Sequence, residues 1–223
     1  SSTLASPTPS SPTPSSPPLA SPTPSGPPGS SPSLSKTNFD GIYDESDPRS
    51  YYGRLGAFGY AVPHHGQQVF RQVLRALPVE RPTVVDVCCS YGVNAALLKH
   101  DVELSDLYEH YTSEAVAGLS SDELAAVDRE FFAGVRRGDA PEVVGLDAAA
   151  NAVGYAVGVG LLDRGLVQDL EASEPSAEVT SACEPADLVT VTGGIGYVTE
   201  RTFDRLLGCS PTEPKPWVAA LCL

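Results

Sequence analysis

An α/β domain on a doubly wound, mostly parallel sheet is the fold this sequence predicts, and two observations predict it. The β-branched run Thr83-Val84-Val85-Asp86-Val87 passes through small residues and Gly92 into the Ala/Leu-rich stretch Val93–Leu98. That is how a buried parallel strand turns into a helix whose first N–H groups face a ligand. Further apolar strand-like runs then alternate with helix-like stretches along the chain.

The first 35 residues hold 11 Pro, 13 Ser and no charged residue, in SPTP-like units. Such a segment has almost no apolar surface to bury, so residues 1–36 are expected to be a disordered tether, with a partner-binding PxxP tract as the alternative. The domain is expected over 37–223, enough for one well-buried core. His65–Leu77 reads as an amphipathic helix with Val69, Phe70, Val73, Leu74 and Leu77 on one face. Thr83–Val87 is the first core strand and Val93–Leu98 a helix. Residues 101–137 show no strand pattern and read as a helical insertion, with one piece over Ser105–Ala117. A capping box at Ser120-Ser121-Asp122-Glu123 opens the next piece, with Leu124, Val127, Phe131, Phe132 and Val135 at helical spacing. That apolar face suits either a mobile cover over an acceptor pocket or packing on the sheet edge.

Alternation resumes with a strand over Glu142–Leu146, a helix over Ala149–Leu162 and a short strand over Gly165–Leu170. A strand over Asp187–Thr192, a helix over Thr199–Leu207 closed by Gly208, and a strand over Pro216–Leu223 complete it. Five strands separated by helices mean a parallel sheet with helices on both faces. The chain has no Met and stops inside an apolar run, so it reads as a fragment whose C-terminal strands are missing.

Net charge is −14, all of it carried after residue 35, and the densest basic pair is Arg136-Arg137. Nucleic acid and anionic membranes are therefore not expected as partners, because a phosphate footprint needs clustered positive charge. There is no 18-residue apolar span and no signal peptide, so no membrane association is read. Five cysteines (Cys88, Cys89, Cys183, Cys209 and Cys222) are odd in number and lack zinc-ligand spacing. They read as reduced thiols, with no metal, and the cytoplasm follows as a default.

Four strand-end segments carry the chemistry, in chain order. They are Asp86-Val87-Cys88-Cys89-Ser90-Tyr91-Gly92, Leu146-Asp147-Ala148, Gln168-Asp169-Leu170 and Thr190-Val191-Thr192-Gly193-Gly194. A carboxylate at the tip of the second strand can accept two hydrogen bonds from ribose hydroxyls. Together the segments resemble the class I S-adenosylmethionine-dependent methyltransferases, whose first motif reads acid-x-Gly-x-Gly-x-Gly. Only Gly92 keeps that pattern. Cys88 and Ser90 are the smallest substitutes with a Cβ and permit close backbone approach provided φ stays negative there.

The resemblance implies a Rossmann-like methyltransferase fold, S-adenosylmethionine as cofactor, and methyl transfer to a small-molecule acceptor. It implies cofactor contacts from Asp86, Cys88, Ser90, Gly92, Asn94, Asp147, Ala148, Asp169, Leu170, Thr192 and Gly193. Acceptor contacts fall to Tyr51, Tyr52 and Tyr197. His64 or His65 is the candidate general base, since imidazole titrates near physiological pH; helix capping by His65 is the alternative. Two rival readings are a non-catalytic domain that keeps this fold and a nicotinamide-dependent oxidoreductase. Against the second, no GxGxxG follows the first strand.

Overall fold

The computed structural model describes residues 40–211 and 213–221. Among them, β1 (Thr83–Val87), β2 (Glu142–Asp147), β3 (Arg164–Val167), β4 (Leu188–Thr192) and β5 (Trp217–Leu221) form one sheet. The order is β3-β2-β1-β4-β5 and every neighbouring pair is parallel. The chain steps outward from β1 to β3, then crosses back to place β4 on the other side of β1. That reversal opens a crevice at the carboxyl ends of β1 and β4, where ligands of open α/β sheets lie. The order is compatible with a Rossmann-like fold without being specific to it. The Pro/Ser-rich tail, Cys222 and Leu223 lie outside the described residues.

The helices are α1 (Arg49–Ala57), α2 (Val62–Ala76), α3 (Val93–Lys99), α4 (Leu104–Thr112), α5 (Glu114–Ala117), α6 (Ser121–Gly134), α7 (Ala150–Gly158), α8 (Ala177–Cys183) and α9 (Glu200–Cys209). Strand periodicity distributes them over two faces. Val84, Val143 and Leu188 join one apolar cluster with Leu97 of α3 and Ala152 and Ala156 of α7. Their neighbours Val85, Val144 and Val189 join a second cluster with Val179 of α8 and Leu206 of α9. Because both faces are covered, the strands read as unbroken apolar runs. No helix among the described residues is long and apolar enough to cross a membrane.

Several boundaries differ from the sequence reading. Helix α2 starts at Val62 rather than His65, since Pro63 sits in the first turn, where a missing N–H removes no helical hydrogen bond. The expected piece over Ser105–Ala117 is two helices, because Ser113 is extended and its hydroxyl bonds the carbonyl of His110. Strand β3 stops at Val167, where Gln168 and Asp169 turn the chain: an Asp169 carboxylate oxygen accepts from the N–H of Glu171 at 2.7 Å. Helix α7 ends at Gly158; Gly160 (φ 81°) directs the N–H groups of Leu161 and Leu162 back to the carbonyl of Ala156. Helix α9 runs through Gly208, which therefore does not close it. Helices α1 and α8 had no clear periodic signal.

The insertion closes on itself: His100 bridges Arg136, so the chain leaves and re-enters at adjacent points. Leu104, Leu107, Leu124 and Phe132 are buried in the same cluster as α3 and α7, whereas Val127, expected inward, is exposed. A polar knot fixes these helices. Asp128 of α6 has no exposed surface and accepts from the hydroxyls of Tyr111 (2.6 Å) and Tyr155 (2.7 Å), and it lies 2.7 Å from Nε2 of His110. Asp128→Ala would leave two buried hydroxyls without an acceptor. It is expected to lower the unfolding free energy by about 3 kcal/mol in urea titration.

Candidate functional site

The carboxyl ends of β1, β2 and β4 open into a cavity of about 460 Å³. Its base is the turn between β1 and α3. There Cys88 and Ser90 adopt φ of 54° and 48°, and Gly92 adopts 76°. The condition set on the sequence, that φ stay negative at Cys88 and Ser90, therefore fails. The backbone is the one glycines would adopt, carried by two residues with a Cβ, at roughly 1 kcal/mol or more each.

What holds the turn is Asp147 at the tip of β2. One carboxylate oxygen accepts from the N–H of Ser90 (2.8 Å) and the other from the N–H of Ala149 at the start of α7 (3.0 Å). The N–H of Gly92 closes the turn onto the carbonyl of Cys89 at 2.8 Å.

Behind the turn lies Asp86, in the middle of the sheet and without exposed surface. One of its oxygens accepts from Asn94 (2.8 Å) and from the hydroxyl of Thr190 on the neighbouring strand (2.7 Å), and the other has no partner. Burial pushes its carboxyl up to about 7, against the help of those two donors. Asn94 in turn accepts from the hydroxyl of Thr192, which does reach the cavity. Asp86, Gly92 and Asn94 thus stand behind the wall and act through it, in place of the direct cofactor contacts expected of them.

Cys88, Ser90, Asp147, Ala148, Asp169, Leu170, Thr192, Gly193, Tyr51 and Tyr197 all line this one cavity. Tyr52 does not; it is buried beneath and stacks on Tyr111 (4.5 Å between centroids). His64 faces a separate groove and His65 is exposed outside both, so neither borders the cavity. No residue of the 101–137 insertion lines it either, so the insertion does not cover this cavity.

Tyr43 and Asp44 are lining residues the sequence reading missed. The segment that carries them is pinned to the turn itself: the hydroxyl of Tyr91 donates to the carbonyls of Ile42 (3.2 Å) and Glu45 (3.0 Å). Asp44 also accepts from the N–H of Asn151 in α7 at 2.6 Å. The only signal in the sequence was Tyr91 itself, an aromatic inside a turn of small residues.

Tyr60 closes the far side. Its hydroxyl occupies the space a Cβ at Gly193 would need, and Gly193 has φ 69°. Only glycine meets both demands.

Three carboxyl side chains, Asp44, Asp147 and Asp169, line the cavity, and no Lys or Arg among the described residues does. Burial, followed by Asp147 and Asp86, pushes the Cys88 thiol up to about 12. It stays protonated and is no nucleophile. Among the described residues no group of three or more His, Cys, Asp or Glu is placed to hold a metal ion. Comparison with protein-family models gives no match. Comparison with curated proteins gives none either. The functional reading rests on the site.

Two outcomes are expected. The Asp86 carboxyl binds its proton more tightly folded than unfolded (ordinary value 3.8), so its contribution to stability is complete at low pH and is lost as pH rises through about 7. That amounts to about 4 kcal/mol between pH 4 and 7. Asp86→Asn keeps the acceptor for Asn94 and Thr190, and melting curves across this range should show the slope gone. Ser90→Gly relieves the left-handed backbone and removes a buried hydroxyl without a partner. Thermal melts should show it stabilised by about 1 kcal/mol.

Proposed function

We propose that this chain is a methyltransferase core of Rossmann-like fold that binds S-adenosylmethionine and methylates a small-molecule acceptor. The observation that carries the reading is the charge of the cavity. Three carboxyl side chains, with no basic residue among the described lining, suit a cofactor with a sulfonium and an ammonium group, and they oppose a pyrophosphate.

The residues fit that cofactor in detail. Asp147 keeps acceptor capacity beyond its two backbone donors, and ribose hydroxyls can use it. Asp169 has one oxygen engaged by the N–H of Glu171 and offers the other beside Leu170 to an adenine edge and ring. Tyr43, Tyr51, Tyr60 and Tyr197 present aromatic surface to a sulfonium cation. When bound, that sulfonium supplies the electrophilic methyl carbon. The chain supplies orientation: the Thr192–Gly194 loop, held close by Tyr60, brings an acceptor within near-attack distance. Among the described residues no histidine borders the cavity itself.

The nicotinamide reading loses support from the same contacts. The Ser90 N–H, which a pyrophosphate would need, already donates to Asp147, and that carboxylate would repel a phosphate. The non-catalytic reading draws on one observation, the Cβ atoms that Cys88 and Ser90 place in a left-handed turn.

Calorimetric titration separates the three readings. S-adenosylhomocysteine should bind and NAD(H) should not; no binding of either would favour the non-catalytic domain. Asp147→Ala should weaken S-adenosylhomocysteine by about 2 kcal/mol and lower stability by about 1 kcal/mol, since two backbone N–H groups lose their acceptor. Unchanged affinity in the folded variant would remove Asp147 from the site.

A further inference from the structure

Beside the cavity, a groove of about 690 Å³ runs between α1, α4 and the start of α2. We infer that this groove is the acceptor site and that it takes a neutral, flat, largely apolar molecule. The inference rests on the function proposed above.

Two observations carry it. The first is continuity. Tyr60 lines both the groove and the cavity. Its hydroxyl packs on Gly193 in the loop after β4, and its backbone carbonyl accepts from the hydroxyl of Tyr108, which lines the groove, at 2.8 Å. Tyr60 therefore borders both spaces, and α4 of the insertion contributes the outer wall of the groove. The second is charge. Among the described residues no Asp, Glu, Lys or Arg lines the groove, where His64 is the one histidine, although the chain carries net charge −14 and three carboxyl groups line the adjoining cavity. A charged ligand would lose hydration there with no carboxylate, ammonium or guanidinium beside it, whereas an aromatic one meets Tyr60, Tyr108 and Leu104.

The shape depends on glycine. A Cβ at Gly56 would meet the Tyr108 ring at 2.9 Å, so Gly56 lets α1 and α4 approach. At Gly53 a Cβ would meet nothing within 4 Å, so a side chain there is free to extend along the groove.

The test uses the full chain with 2-naphthol as a neutral probe and 2-naphthoate as its anionic counterpart, in saturating S-adenosylhomocysteine, followed by fluorescence titration. We expect 2-naphthol to bind at least tenfold more tightly than 2-naphthoate. Gly53→Trp should weaken 2-naphthol at least tenfold and leave S-adenosylhomocysteine affinity within twofold. Ser105→Trp, which enters from the opposite wall, should act in the same way should the first variant fold poorly; Gly53→Ala should change little. Equal 2-naphthol affinity in folded wild type and tryptophan variants would overturn the inference, as would a preference for 2-naphthoate. A dimer lost on Gly53→Trp in sedimentation would assign the groove to a second copy and overturn it too. If S-adenosylhomocysteine binds none of these proteins, the proposed function itself fails, and a 2-naphthol response to Gly53→Trp would then mark a ligand site that serves no methyl transfer.

Discussion

The carboxylate of Asp147 is the contact on which the candidate site depends. The turn after β1 is left-handed at Cys88 and Ser90, a conformation that L-residues adopt only when their surroundings over-determine it. Asp147 supplies that constraint by binding the N–H of Ser90 from the next strand. Its other oxygen binds the N–H of Ala149, so one side chain sets the turn, the strand tip and the entry to α7 together. The remaining capacity of that carboxylate is what a ribose would use. Stability and recognition therefore share one group here.

A second carboxyl does the opposite work. Asp86 has no exposed surface, yet it joins β1, α3 and β4 through Asn94 and Thr190 and, through Asn94, binds Thr192 at the cavity. Register explains part of the arrangement: Asp86 stands opposite Thr190 on β4, whose hydroxyl donates to it. A buried acid of this kind destabilises when ionised, and its hydrogen bonds give the turn above it a fixed base.

The segments outside the sheet are polar clips on an apolar frame. Tyr91 reaches from the turn to the segment carrying Tyr43 and Asp44, and Asn151 of α7 binds the same segment. Asp128 fastens α4, α6 and α7 in the insertion. Each clip joins elements distant in sequence, so the cavity wall and the groove wall take their shape from long-range contacts.

The strand-and-helix order was legible because buried strands must be apolar and β-branched while their ends carry small or acidic residues; Thr83–Val87, Asp147 and Asp169 announce themselves by composition alone. Local periodicity also marked α6 through its capping box. Three features were beyond it. The φ values of Cys88 and Ser90 depend on a hydrogen bond that the Ser90 N–H donates to Asp147, and no local pattern records that partner. The withdrawal of Asn94 and Asp86 from the cavity depends on which face of the sheet they meet. The placement of Tyr43, Asp44, Tyr60 and His64 depends on how α1 and the segment before it fold over the strand ends. Sequence by itself determined the five strands, the longer helices and the residues at strand tips, since those follow from burial and backbone chemistry at each position. Only the tertiary structure decided which of them face a ligand, because that is fixed by partners brought together from far along the chain.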